Sequence, residues 1–275
     1  MARSTRKRPL ASLLTEQGLF SSKEEAERWI MAGQVLVNEQ RIDKPGMLVP
    51  GDAVLRVRGR KRYASRGGHK LAAALEHFTV AVAGRAALDC GASTGGFTDC
   101  LLQHGAALVY AVEVGYGQLS GALRADPRVR NMERTNLSDL LTMRLDPPPD
   151  LITLDLSYLS LTKALPIAAA VLKPGGEILA LLKPLFEVES ADARRTGQVA
   201  DPAQFRLAIR HVLDAGVAAG LEPRGLAKLA LQPRHGVNEY FAYFAYTTTC
   251  PHLPYDDEVI DQIVAGPGIG SVEEE

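Results

Sequence analysis

Cysteine is scarce: Cys90, Cys100 and Cys250 are the only three in 275 residues. The number is odd and no two stand at C-x-x-C spacing, so neither a disulfide framework nor a cysteine-based zinc site is expected, and no metal is assigned. No apolar run is long enough to span a bilayer. The basic start, Arg3, Arg6, Lys7 and Arg8, lacks the apolar segment and small-residue cleavage site of a signal peptide, so no membrane partner is expected and the expected compartment is the cytoplasm. There is no excess of charge either, the formal net being −1. That total hides an asymmetry: residues 1–70 carry 15 Lys and Arg against 7 Asp and Glu, leaving 16 against 25 for the remainder. A charged face is most often simply solvated, but a positive balance gathered on a small segment is also how proteins meet nucleic-acid phosphates.

With 46% hydrophobic and 23% charged residues, the chain can bury a sizeable core, divided between one large domain and a small one. The expected divisions are 1–62, a linker and leading helix (Leu71–His77) over 63–80, a large domain over 81–250, and a tail over 251–275. In the small segment Leu10, Leu13 and Leu14 make a helical stripe ended by Gly18. Ser21 or Ser22 caps a second helix, whose Glu24 and Glu25 suit its positive end and which Gly33 stops. Short apolar stretches at Val35–Val37 and Ala53–Val57 complete an α+β module too small for an active-site cleft.

From Val82 strands and helices alternate. Strands are expected at Ala86–Asp89, Leu108–Val112, Leu151–Asp155 and Glu177–Leu182, and helices at Phe97–Gln103, Leu119–Asp126, Lys163–Leu172 and Pro202–Ala218, with a short unassigned element near Val129–Met132. This alternation predicts an α/β, Rossmann-like parallel sheet with helices on both faces and a ligand crevice at the strands' carboxyl ends. Gly225–Leu231 and Tyr240–Thr247 read as a closing antiparallel pair around the turn Pro233–Gly236. Beyond Pro251 the Pro- and acid-rich sequence reads as a loose tail.

The stretch Leu88-Asp-Cys-Gly-Ala-Ser-Thr-Gly-Gly-Phe97 joins the first of those strands to its helix. Gly91, Gly95 and Gly96 let a ligand approach the backbone, and the N–H groups opening the helix favour polar or anionic ligand groups. Glu113 ends the second strand, where a carboxylate accepts hydrogen bonds from ribose hydroxyls. The G-x-G-x-x-G of a dinucleotide site is missing. Asp89, heading the loop, would repel a pyrophosphate but suits the ammonium of S-adenosylmethionine (AdoMet), which is therefore the expected cofactor.

Two further strand ends carry charge. Asp155 follows Leu151-Ile-Thr-Leu154 and Lys183 follows Ile178–Leu182; such a pair is often only structural. Glu239, at the start of the last strand, and Lys70, behind the turn Ser65-Arg-Gly-Gly68, are placed to reach the same edge. Together the four suit activation of a hydroxyl. Lys183 serves as general base, Asp155 orients its amine, Lys70 adds positive field near a developing oxyanion, and Glu239 holds one of the lysines.

Several of these stretches resemble known families. Leu13–Leu19, Ser22–Ala26, Ile30–Gly33, Val35–Asn38 and Gly51-Asp52 resemble, in order, the RNA-binding fold named after ribosomal small-subunit protein S-four. Ser65–Leu71, Asp89–Asp99, Tyr110–Leu119, Glu133–Asn136, Asp155–Leu161 and Leu182–Glu187 are similar to the TlyA group of rRNA ribose methyltransferases, historically labelled haemolysins, whose catalytic domain is FtsJ-like. The resemblance implies a catalytic tetrad at Lys70, Asp155, Lys183 and Glu239. It also implies 2′-O-methylation of cytidine, with ribosomal RNA or ribosomal subunits as partner. By the same resemblance, Asp89, Gly91, Ser93, Thr94, Gly95, Gly96, Phe97 and Glu113 bind AdoMet, with Asn136 and Leu137 against its adenine. Glu113 stands where the family commonly has Asp, Leu185 replaces a usual Gln, and Arg194–Gln198 replaces a glycine-rich loop. Two other readings stand beside the enzyme: a membrane-active haemolysin, on the family's label, and an RNA-binding protein that senses AdoMet without transferring its methyl.

Overall fold

The computed structural model describes residues 7–20, 22–59, 62–188, 195–196, 199, 201–230, 238–247 and 255–270. The turn expected at Pro233–Gly236, most of the loop 194–198 and the last residues 271–275 lie outside the described residues. Contacts divide the chain into two compact units between Arg62 and Tyr63.

In the smaller unit, helix Leu10–Glu16 buries Leu10, Ala11, Leu13 and Leu14. Ser22 caps helix Lys23–Met31 by accepting from the Glu25 N–H at 3.2 Å, and Glu24 and Glu25 occupy the positively polarised first turn. Strands β1 (Arg8–Pro9), β2 (Val35–Val37), β3 (Gln40–Ile42), β4 (Leu48–Val49) and β5 (Leu55–Val57) form two antiparallel sheets, β1–β4 and β3–β2–β5. The β2–β3 hairpin turns on two residues of positive φ, Asn38 at 49° and Glu39 at 65°, as a turn matched to strand twist requires.

The larger unit holds one seven-stranded sheet. Its strands are β6 (Ala86–Cys90), β7 (Leu108–Glu113), β8 (Val129–Glu133), β9 (Leu151–Leu154), β10 (Glu177–Leu182), β11 (Leu221–Lys228) and β12 (Tyr240–Tyr246), in the order β11-β12-β10-β9-β6-β7-β8. β6 to β10 run parallel, and β12 is antiparallel to both its neighbours. Successive strand residues face opposite sides. Leu88, Val112, Ile152 and Ala180 therefore join one core with helices Leu161–Val171 and Pro202–Ala218, while Ala87, Val109, Leu151 and Leu179 join another with helices Gly67–His77 and Gly96–Gln103. Covering both faces is what makes these strands apolar along their length. Strand order reverses between β6 and β9, where α/β sheets open a crevice at their carboxyl ends.

Several elements differ from the sequence expectation. The unassigned element near Val129 is β8, an edge strand whose alternation is masked because Arg130 and Asn131 are both exposed. Helix Gly67–His77 starts before Leu71, because the missing Cβ of Gly68 makes room for the buried Tyr63 ring. β11 starts at Leu221 rather than Gly225: Pro223 argues against a strand, but β11 is an edge and its register breaks between Pro223 and Gly225. The expected loose tail is instead packed structure over 255–270. Helix Asp257–Ala265 buries Ile260, Arg206 and Arg210 pair with Asp261 and Asp257, and Ile269 bonds Lys228 and Ala230 beside β11. The acidic composition that suggested solvation is thus answered by cations on helix Pro202–Ala218.

Candidate active site

Asp89, at the end of β6, lies inside the fold. Its side chain is fully buried, accepting from Thr98 Oγ1 at 2.7 Å and Thr153 Oγ1 at 3.1 Å, with the Thr98 N–H as a further donor. Burial pushes the carboxyl up to about 7, the hydrogen bonds offsetting it only in part. The carboxyl ties β6 to β9 and to helix Gly96–Gln103. The glycines likewise serve the chain itself. A Cβ on Gly91 would lie 2.3 Å from the Asp155 carbonyl, one on Gly95 2.2 Å from Leu123, and one on Gly96 2.1 Å from Ser65 Oγ. On the Cβ side of these glycines stand the segment after β9, helix Gly121–Ala125 and the turn leading to Lys70. Phe97 is also core, stacked on Phe241 with ring centroids 6.0 Å apart.

The outer side of the loop faces the crevice. Ser93 and Thr94 are exposed. The Ser93 N–H donates to Glu113 Oε2 at 3.0 Å and the Gly115 N–H to Oε1 at 2.8 Å, using about two of a carboxylate's four or so lone-pair directions. Glu133, which opens the stretch Glu133–Asn136, pairs with Glu113 across β7 and β8. It accepts from the Leu119 and Gln118 N–H groups at 3.1 and 2.8 Å, shaping the loop after Glu113, and these donors hold its carboxyl down to about 2. Asn136 is exposed and caps the short helix Leu137–Leu141, with Asp139 Oδ2 accepting its N–H at 2.8 Å. The Leu137 side chain is buried in the core, which leaves its main chain for any ligand contact.

Asp155 follows β9 and Lys183 follows β10, at the carboxyl ends of adjacent strands. Lys183 Nζ donates to Asp155 Oδ1 at 2.5 Å and to Ser157 Oγ at 3.2 Å, a partner the sequence offered no reason to select. Lys70, in the first turn of its helix, lies 2.5 Å from Glu239 Oε2, an ion contact outside hydrogen-bond angles. The register brings the two pairs to one edge. Leu182 faces Tyr240 across β10 and β12, so Lys183 and Glu239 leave the sheet side by side. The Leu229 N–H fixes the Glu239 main chain by donating to its carbonyl at 2.8 Å. None of the four side chains is more than 24% exposed, so water screens them weakly. Two lysines, each steadied by a carboxylate, can handle a proton and a developing negative charge at one place.

Residues 63–246 match the FtsJ-like methyltransferase family and residues 8–55 the S4 domain. The 16S/23S rRNA (cytidine-2′-O)-methyltransferase TlyA of Mycobacterium tuberculosis is 39% identical over 86% of this chain and 88% of its own. Hemolysin A of Brachyspira hyodysenteriae is 34% identical over 83% of this chain and 95% of its own. A solved structure from Streptococcus thermophilus that carries a hemolysin label superposes with a TM-score of 0.67 at 37% identity, covering 94% of this chain and 96% of the other. With an S4 domain ahead of the matching catalytic unit and relatives aligned over most of its length, this chain belongs to the FtsJ-like methyltransferase family, in its TlyA group.

Proposed function

We propose that this protein transfers a methyl group from AdoMet to the ribose 2′-hydroxyl of a cytidine in ribosomal RNA, acting on the RNA or on ribosomal subunits in the cytoplasm. The observation that carries the reading is the double lysine–carboxylate edge, Lys183 with Asp155 and Lys70 with Glu239, beside the strand-order reversal. The residues fit AdoMet: Glu113 closes β7 next to the exposed Ser93–Thr94 turn, with acceptor capacity for a ribose diol. When bound, AdoMet supplies an electron-poor methyl on a sulfonium that leaves as a neutral thioether. Lys183, in its neutral form, accepts the ribose proton, while Asp155 and Ser157 fix the direction of its amine. Lys70 sets positive charge beside the developing oxyanion, and Glu239 keeps that ammonium in place. The S4 domain, in the basic front of the chain, supplies the RNA contact.

The test is transfer of labelled methyl to ribosomal RNA or subunits from cells lacking this gene. Wild-type protein labels a cytidine 2′-oxygen. Lys183→Ala loses about 100-fold or more of that rate, the range for a general base, and keeps AdoMet binding within about threefold. Wild-type protein that binds AdoMet but methylates no RNA would replace the enzyme with a sensor. For the hemolysin label, no helix among the described residues is long and apolar enough to cross a membrane; leakage of liposomes by the purified protein would favour that label.

A further inference from the structure

The segment after β9, from Asp155 to Ser160, is held against the segment after β10 at both of its ends. At the near end Lys183 bonds Asp155 and Ser157. At the far end Glu187 accepts from Ser160 Oγ at 2.5 Å through Oε2 and from the Leu161 N–H at 3.0 Å through Oε1. Glu187 closes the helix Pro184–Glu187 that begins directly after Lys183, so about one helical turn separates the two attachments. Ser160 is itself the cap of helix Leu161–Val171, a long element packed into the core, which makes the far attachment a fixed one. Burial raises the Glu187 carboxyl above its ordinary range, its donors only partly opposing the shift, so the group sits there at a cost that its bonds must offset.

Resting on the methyltransferase reading above, we propose that Glu187 is a positioning residue for the reaction: by bridging Lys183's helical turn to Ser160 and Leu161, it sets the separation of Lys183 and Asp155. The bridge is geometric. Both carboxyl oxygens are used, one for each partner, so the lysine-bearing turn can neither slide along the Asp155 segment nor lift from it. A carboxylate that merely caps a helix would support stability and leave catalysis per folded molecule unchanged. The positioning role instead predicts a loss confined to kcat, because a displacement of about 1 Å at reacting groups costs on the order of 100-fold.

The experiment is steady-state methyl transfer to the ribosomal substrate by Glu187→Ala, Glu187→Gln and Ser160→Ala, with AdoMet affinity measured by titration calorimetry. Wild-type protein must first transfer methyl; if it does not, the functional reading fails before the positioning role is reached. Given an active wild type, Glu187→Ala is expected to lose about 30-fold or more in kcat while AdoMet affinity and the KM for RNA stay within about threefold. Glu187→Gln keeps a carbonyl for Leu161 and a polar contact for Ser160, and should recover to within about fivefold of wild type. Ser160→Ala should lose about 3- to 10-fold, and that loss should vanish in the Glu187→Ala background. A Glu187→Ala enzyme within threefold of wild-type kcat overturns the proposal, as does a Gln variant no better than Ala. If the Ala variant does not fold, Ser160→Ala decides alone: unchanged kcat overturns the proposal.

Discussion

Gly91→Ala separates backbone strain from displacement of a catalytic group. Gly91 has φ of 87°, and an added Cβ would stand 2.3 Å from the Asp155 carbonyl, whereas ordinary contact begins near 3.4 Å. The carbonyl is main chain and cannot swing aside, so the segment after β9 must retreat by about 1 Å, taking the Asp155 carboxylate from Lys183; at a reacting centre that costs on the order of 100-fold. Left-handed backbone adds roughly 1–2 kcal/mol of strain, lowering the melting temperature by roughly 2–8 °C for a unit of this size. Gly175→Ala supplies the control. Gly175 has φ of 78° but nothing within 4 Å of its Cβ position, and it precedes β10 at the opposite end of the sheet. It should show the strain-derived melting shift alone, smaller than that of Gly91→Ala, and wild-type kcat. Both variants are compared by differential scanning fluorimetry and by methyl transfer per folded molecule. A Gly91→Ala enzyme within threefold of the Gly175→Ala rate refutes the reasoning.

Two further outcomes are expected. The folded state holds a proton on Asp89 up to pH about 7 that an unfolded aspartate releases near its ordinary 3.8. Stability should therefore fall as pH rises across that window, by on the order of 4 kcal/mol in all. Asp89→Asn removes this contribution, so urea midpoints at pH 5 and pH 8 should lie closer together for the variant; an unchanged gap would show that Asp89 is not the buried acid. Ile260→Ala should cost about 2–5 kcal/mol in urea unfolding because its side chain is wholly enclosed. Glu258→Ala on the exposed side of the same helix should change stability by less than about 0.5 kcal/mol, and equal effects would contradict the packing described.

The parallel strands were readable because both their faces are covered, which leaves long apolar runs ended by single charged residues such as Glu113, Asp155 and Lys183. Local pattern could not show where those charges point. At Asp89 the pattern shows a charge ending a strand, but not that Thr98 and Thr153 reach it from elsewhere in the chain. Gly91, Gly95 and Gly96 announce close approach, but only the tertiary structure reveals that Asp155, Leu123 and Ser65 stand on their Cβ sides. Glu187 ends the stretch Leu182–Glu187, yet its value depends on Ser160 and Leu161, which the fold alone brings to it. The C-terminal helix was missed for a related reason: its acidic face has meaning only opposite Arg206 and Arg210.

Leu229 is gripped on both flanks. Its own N–H reaches Glu239 on one side, while its neighbours Lys228 and Ala230 exchange bonds with Ile269 on the other. During synthesis the ribosome delivers Ile269 some thirty residues after Glu239. A chain cut before Ile269 would therefore keep the Leu229–Glu239 bond but leave the outer edge beside it without the two bonds that Ile269 supplies.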